Sequence, residues 1–163
     1  MEKTPEKSPL EKLKEDYSKI QKKHNLPSFN ELNRDFKIEK LADIETDFLI
    51  REIRSQIGEG LENFLRFVEA ILNPVNVPMF LFPVIKSLDE KEKEKLNEFY
   101  KKLSKLEIKG IKLINYSEEK EIELLKESFE LWQEIKKDFT ILIENIEKKL
   151  EVKTEKSERG YFG

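Results

Sequence analysis

Apolar residues recur every three or four positions along two long stretches, and this spacing limits the possible folds more than any other feature. In the first stretch, from 43 to 72, the repeat passes through Gly58 and Gly60 without losing phase; its apolar positions are Ile50, Ile53, Ile57, Leu61, Phe64, Val68 and Ile71. The second stretch, from 117 to 150, carries Ile122, Leu125, Phe129, Trp132, Ile135, Phe139, Leu142, Ile146 and Leu150. Steps of three and four keep side chains on one face of an α-helix, so the sequence predicts two long amphipathic helices over about 43–72 and 117–150.

Shorter helices are predicted around them from start signals. Ser8 and Ser28 are each followed three residues later by glutamate, which is the pattern of a capping box, and they open helices over about 9–23 and 28–35. A further helix over about 88–107, capped by Ser87 or Asp89, is expected to end before Gly110. The predicted fold class is therefore all-α, an antiparallel helix bundle built on the two long helices.

The chain of 163 residues has the size of one ordinary domain. Residues 8–150 are expected to form a single helical domain. Residues 1–7 are expected to be a flexible N-terminus, and residues 151–163 a polar C-terminal tail in which the apolar repeat is lost.

Composition narrows the function classes. The chain has no cysteine and one histidine, so thiol chemistry is excluded and the usual transition-metal sites are disfavoured; we predict no catalytic residue, cofactor or metal. The 31 basic and 34 acidic residues are interleaved, which disfavours a nucleic-acid partner. No run reaches the roughly 18–20 apolar residues of a membrane span and no signal peptide is evident, so a cytoplasmic location is expected.

Three isolated features invite functional interpretations. Gly58-Glu59-Gly60 lacks the third glycine of a dinucleotide-binding fingerprint, because Asn63 stands there, and a close helix crossing or a kink explains the pair better. His24 lies at a predicted helix end, where capping or plain exposure explains it better than catalysis. Arg54 borders the apolar stripe, where it either pairs with a carboxylate inside the bundle or serves a ligand or partner.

The segment 75–85 is the least polar part of the chain and the strongest candidate for a binding surface. It contains four adjacent large apolar residues, Met79, Phe80, Leu81 and Phe82, between Pro78 and Pro83. Either the segment plugs an open end of the bundle, or it forms a partly exposed lip that grips another chain. At the C-terminus, Tyr161 and Phe162 stand between glycines and represent either a short docking peptide or a frayed end.

Part of the sequence resembles a known kind of protein. The order of Leu26-Pro27-Ser28-Phe29-Asn30-Glu31-Leu32, then Glu45-Thr46-Asp47 leading into Arg51-Glu52-Ile53-Arg54, then Trp132 in a helix of mixed charge, resembles small all-helical archaeal proteins of uncharacterised function. The resemblance implies a helical fold and a cytoplasmic setting. It implies no activity and no functional residue.

Three functional hypotheses follow. The first is a non-catalytic protein–protein interaction or scaffold module, whose partner is a protein, the chain itself included; its tentative binding residues are Met79, Phe80, Leu81, Phe82, Tyr161, Phe162 and Arg54. The second is an accessory nucleic-acid or ribonucleoprotein binder that gathers lysines on one side of the fold. The third is an enzyme that uses neither cysteine nor histidine.

Overall fold

The computed structural model describes residues 6–113 and 117–160, and it describes side chains only as far as residue 152. Within these ranges every regular element of secondary structure is a helix, which confirms the all-α class and the two long helices. The α-helices are α1 (Pro9–His24), α2 (Phe29–Phe36), α3 (Leu49–Leu72), α4 (Phe82–Ser87), α5 (Glu90–Lys112) and α6 (Glu118–Gly160), and 3₁₀ helices cover Ile38–Asp43 and Met79–Leu81.

The helix starts follow the predicted capping chemistry. Ser8 and Ser28 both form complete capping boxes, in which the serine hydroxyl accepts from the backbone N–H three residues on and the glutamate there accepts from the serine N–H. Asp89, not Ser87, caps α5, because its carboxylate accepts from the N–H of Glu92 at 2.8 Å. These caps satisfy backbone donors that the helix itself leaves unpaired.

Three helix ends differ from the sequence-based prediction. Helix α3 begins at Leu49 instead of 43, because residues 38–43 form a 3₁₀ helix and Ile44 is extended. Helix α5 continues through Gly110 to Lys112, since this glycine does not take the left-handed conformation that ends many helices. Helix α6 continues past 150 to Gly160, along a Lys- and Glu-rich stretch with good helix propensity and no breaker.

The chain divides into two compact units, Met1–Gly60 with Leu106–Glu130 and Leu61–Lys105 with Leu131–Gly163. Helices α3, α5 and α6 contribute residues to both. In the first unit, α1 and α2 pack against the 3₁₀ helix Ile38–Asp43 and against each other, and Phe36 of α2 lies against Gly60 of α3. The buried side chains of this unit include Leu13, Tyr17, Leu32, Phe36, Ile38, Ile53, Ile57 and Leu125.

The second unit is built on the antiparallel pair α5 and α6. Their direction is shown by two ion pairs, because Lys102 meets Glu134 while the earlier Lys95 meets the later Asp138. Of the apolar residues predicted for α6, Trp132, Ile135, Phe139, Leu142 and Ile146 are buried here, whereas Leu150 is half-buried, and the short helix α4 contributes Val84. The buried set includes Val68, Val84, Leu96, Phe99, Leu103, Trp132, Ile135, Phe139, Leu142 and Ile146.

Candidate interaction surface and a buried ion pair

The apolar segment 75–85 belongs to the second unit, and its side chains divide between the core and the surface. Pro78 precedes the 3₁₀ helix at Met79–Leu81, and Pro83 stands in the first turn of α4, where its missing N–H costs no hydrogen bond. Leu81 and Val84 are buried, at 6% and 0% exposure. These two side chains anchor the segment to the core of the unit.

The other large side chains of the segment face solvent. Met79 is 85% exposed, Phe80 63%, Phe82 42% and Val75 74%. We call these four residues the 75–82 patch. The segment is therefore neither wholly a plug nor wholly a lip, because one of its four adjacent large residues, Leu81, points inward while the other three do not.

Arg54 lies in the first unit and makes an internal ion pair. Its Nε donates to Oε2 of Glu121 at 2.6 Å, and only 17% of the Arg54 side chain and 4% of the Glu121 side chain are exposed. Of the two roles considered for Arg54, the structure therefore shows the internal pairing with a carboxylate. Its tentative role toward a partner stays a prediction, and so do those of Tyr161 and Phe162, which lie outside the described residues.

Glu121 is the functional candidate that sequence reasoning missed. It is 3% exposed overall, and Nε of Arg51 lies 3.8 Å from its Oε1, which is too long for a hydrogen bond. Among the described residues, Oε1 finds no hydrogen-bond donor. A signal existed in the sequence, since Glu121 stands one turn before the buried Leu125 and shares its helix face.

The single histidine and the fully buried Tyr17 both lie in α1 and contact other parts of the first unit. His24 closes α1, with its Nε2 3.6 Å from a carboxylate oxygen of Glu118. The hydroxyl of Tyr17 donates to the carbonyl of Pro27, which fixes the turn between α1 and α2. Burial raises the pKa of the Tyr17 phenol far above its ordinary value, and the charge of Glu31 adds to this rise.

A row of ion pairs on the protein surface joins α5 to α6; Lys95 and Lys102 pair with Glu98, Glu134 and Asp138. Hydrogen bonds from Lys95 lower the pKa of Asp138, and those from Lys102 and Lys95 lower the pKa of Glu98. Both carboxylates are well exposed, so such pairs contribute little stability. In the described parts of the chain, no three His, Asp or Glu side chains are grouped so as to hold a metal ion.

Of the two glycines in α3, Gly60 is the one that lies against a neighbouring helix. A Cβ at this position would lie 2.9 Å from Cδ1 of Phe36, so a larger residue would require the Phe36 ring of α2 to shift. At Gly58 the nearest atom would be Nη1 of Arg54, at 3.9 Å, an ordinary contact. The close helix approach considered for this pair is present at Gly60, inside a continuous helix.

No protein-family model, curated protein or solved structure matches this chain. The resemblance to small helical archaeal proteins therefore stays a prediction. Among the described residues, no helix combines the length and apolar character that crossing a bilayer requires.

Proposed function

We propose that this chain is a non-catalytic interaction module that associates through the 75–82 patch, with a second copy of the chain as its partner. The observation that supports this is the exposure of Met79 and Phe80, at 85% and 63%, in a chain whose other long apolar faces are largely buried. Contiguous exposed apolar side chains are typical of interaction sites, and methionine and phenylalanine are enriched there.

The chemistry of the patch favours a second copy. The four side chains carry no charge, so two patches meet without electrostatic repulsion. Exposed Lys86 and exposed Asp89 follow the patch in the sequence. A two-fold axis pairs each surface with itself, so a surface that carries both signs of charge can be complementary to its own copy.

The expected association is weak. Four side chains offer less than the roughly 800 Å² per partner of a standard stable interface. We therefore expect a dissociation constant in the micromolar range, which corresponds to a binding free energy of about −8 kcal/mol. This is too weak for a permanent dimer.

Sedimentation velocity of the full chain over a wide concentration range tests this proposal. The wild type is expected to associate as concentration rises, and the double variant Met79→Ser with Phe80→Ser to stay monomeric. The matched control is Ile108→Ser with Ile111→Ser, which changes two residues of α5 that are 54% and 55% exposed. This control should associate like the wild type.

Two results contradict the proposal. One is a wild type that stays monomeric at the highest concentration, which would leave the patch to a different protein. The other is equal association of the patch variant and the wild type. Circular dichroism of each variant shows whether it remains folded, and the exposure of the mutated residues predicts that it does. The nucleic-acid and enzyme hypotheses stay predictions.

A further inference from the structure

Met79 is the most exposed side chain of the 75–82 patch, at 85%, and among the described residues it carries the only sulfur atom. The chain has two methionines and no cysteine, and the other methionine, Met1, lies outside the described residues. Peroxides oxidise the thioether of an accessible methionine to a sulfoxide, and cellular reductases reverse this change. In the described part of the chain, Met79 is therefore the side chain on which a peroxide is expected to act.

The oxidation changes the character of this side chain in one step. One oxygen atom passes from hydrogen peroxide to the sulfur, so that the O–O bond breaks, an S–O bond forms and water leaves. The sulfur loses two electrons and the peroxide gains them. The product is a polar, chiral sulfoxide in place of a flexible apolar thioether. Its oxygen accepts hydrogen bonds and has no proton to donate.

The second unit has other groups that hold the segment of the patch in place. Leu81 and Val84 anchor it in the core, at 6% and 0% exposure. Nζ of Lys149 in α6 donates to the carbonyl of Ser87, at the end of α4, at 3.0 Å. The side chain of Met79 projects mostly into solvent, so water hydrates a sulfoxide there. Oxidation is therefore expected to alter the surface of the patch and to leave its position unchanged.

We propose that Met79 is a reversible oxidation site, at which a peroxide weakens the association of two copies of the chain; this inference rests on the proposed function. The other patch side chains, Val75, Phe80 and Phe82, have no N–H or O–H to donate. A sulfoxide oxygen that a second copy covers thus loses its water without gaining a donor, which is unfavourable. The oxidised chain should associate at least about tenfold more weakly than the reduced chain.

Peroxide treatment of the full chain, followed by sedimentation velocity, tests this site. Peptide mapping by mass spectrometry measures separately how much of Met79 and of Met1 becomes sulfoxide. Met79 is expected to react at a rate close to that of free N-acetylmethionine amide, because its side chain is 85% exposed. The wild type should keep its thermal unfolding temperature and associate more weakly. Reduction by methionine sulfoxide reductases for both epimers should restore the original association.

Met79→Leu is the matched variant, since leucine is apolar, has a similar volume and contains no sulfur. Whatever the affinity of this variant, it should be the same before and after peroxide treatment. The comparison separates Met79 from Met1 and from every other oxidisable group. Recovery of the wild type by the reductases provides the same decision without any substitution.

Several results would overturn this inference while the proposed association stands. They are unchanged association after full conversion of Met79, equal weakening of Met79→Leu by peroxide, a sulfur that reacts far more slowly than the free amide, and a lowered unfolding temperature of the oxidised chain. A wild type that is monomeric before treatment contradicts the proposed function itself, and this inference falls with it. The untreated sample therefore distinguishes the two failures.

Discussion

The two units bury different kinds of side chain at corresponding places. In the first unit, α3 and α6 meet through the charged pair of Arg54 and Glu121. In the second unit, the same two helices meet through stacked aromatic rings, with Phe64 and Trp132 at 4.5 Å between centroids and nearly parallel. Charged groups lose hydration when buried, whereas aromatic rings gain by leaving water. At these two contacts between α3 and α6, the first unit therefore depends on matched charges and the second on packed volume.

The largest expected effect is in the aromatic cluster. Phe139 is buried, and its ring lies 5.2 Å from that of Phe64, 5.6 Å from that of Phe99 and 6.0 Å from that of Trp132. Phe139→Ala removes a ring from this packed cluster and should lower the free energy of unfolding by about 3–5 kcal/mol. Urea denaturation measures this change. Ile141→Ala, two residues away but 46% exposed, is the control and should change stability by less than about 1 kcal/mol.

The charged pair should respond in a different way from the rings. Glu121→Ala leaves the guanidinium of Arg54 largely buried without its carboxylate and should cost about 3 kcal/mol, while Glu123→Ala should be nearly neutral. The double variant Arg54→Met with Glu121→Leu removes both charges together. It should recover most of the loss, because a buried ion pair and apolar residues of similar volume are often close in stability. A double variant that is less stable than Glu121→Ala would show that the pair itself stabilises the fold.

The same contrast explains what could be predicted from the sequence. The apolar repeat placed Ile53, Ile57, Leu125 and Phe139 correctly in the core, because helical spacing is a local property of the chain. The partner of Arg54 was not predictable, since Glu121 lies 67 residues away and many other carboxylates were available. Local patterns identify which face of a helix is buried. They do not identify which distant residue that face meets.

The candidate interaction surface shows a similar limit. The sequence singled out the segment 75–85, because nothing else in the chain is as apolar. It did not show that Leu81 is buried while Met79 and Phe80 are exposed. The segment is a 3₁₀ helix followed by a short α-helix, and neither repeats long enough to reveal a preferred face.

Substitution of Tyr17 measures how much a buried neutral hydrogen bond contributes to stability, for comparison with the charged pair of the same unit. Tyr17→Phe removes the hydrogen bond to the Pro27 carbonyl and should cost about 1–3 kcal/mol. The pKa of the folded phenol lies above its ordinary value of 10.0, so the folded state holds the proton more tightly than the unfolded chain does. Wild-type stability should therefore fall as pH rises above about 10, and this part of the fall should be absent in Tyr17→Phe. Thermal unfolding of both proteins between pH 8 and 11 measures the difference; parallel pH curves would contradict the argument.

The smallest effects are expected at the glycine pair of α3, where two identical substitutions should change stability in opposite directions. Alanine at either position favours the helix by about 1 kcal/mol relative to glycine. At Gly58 the added methyl meets only the far end of Arg54 at 3.9 Å, so Gly58→Ala should raise the free energy of unfolding. At Gly60 the methyl lies 2.9 Å from the buried ring of Phe36, and overpacking of about 1–3 kcal/mol should exceed the helix gain. Chemical denaturation of the two variants compares them directly. If Gly60→Ala proved as stabilising as Gly58→Ala, the close approach of Phe36 would not constrain the first unit, because the ring would then move aside without cost.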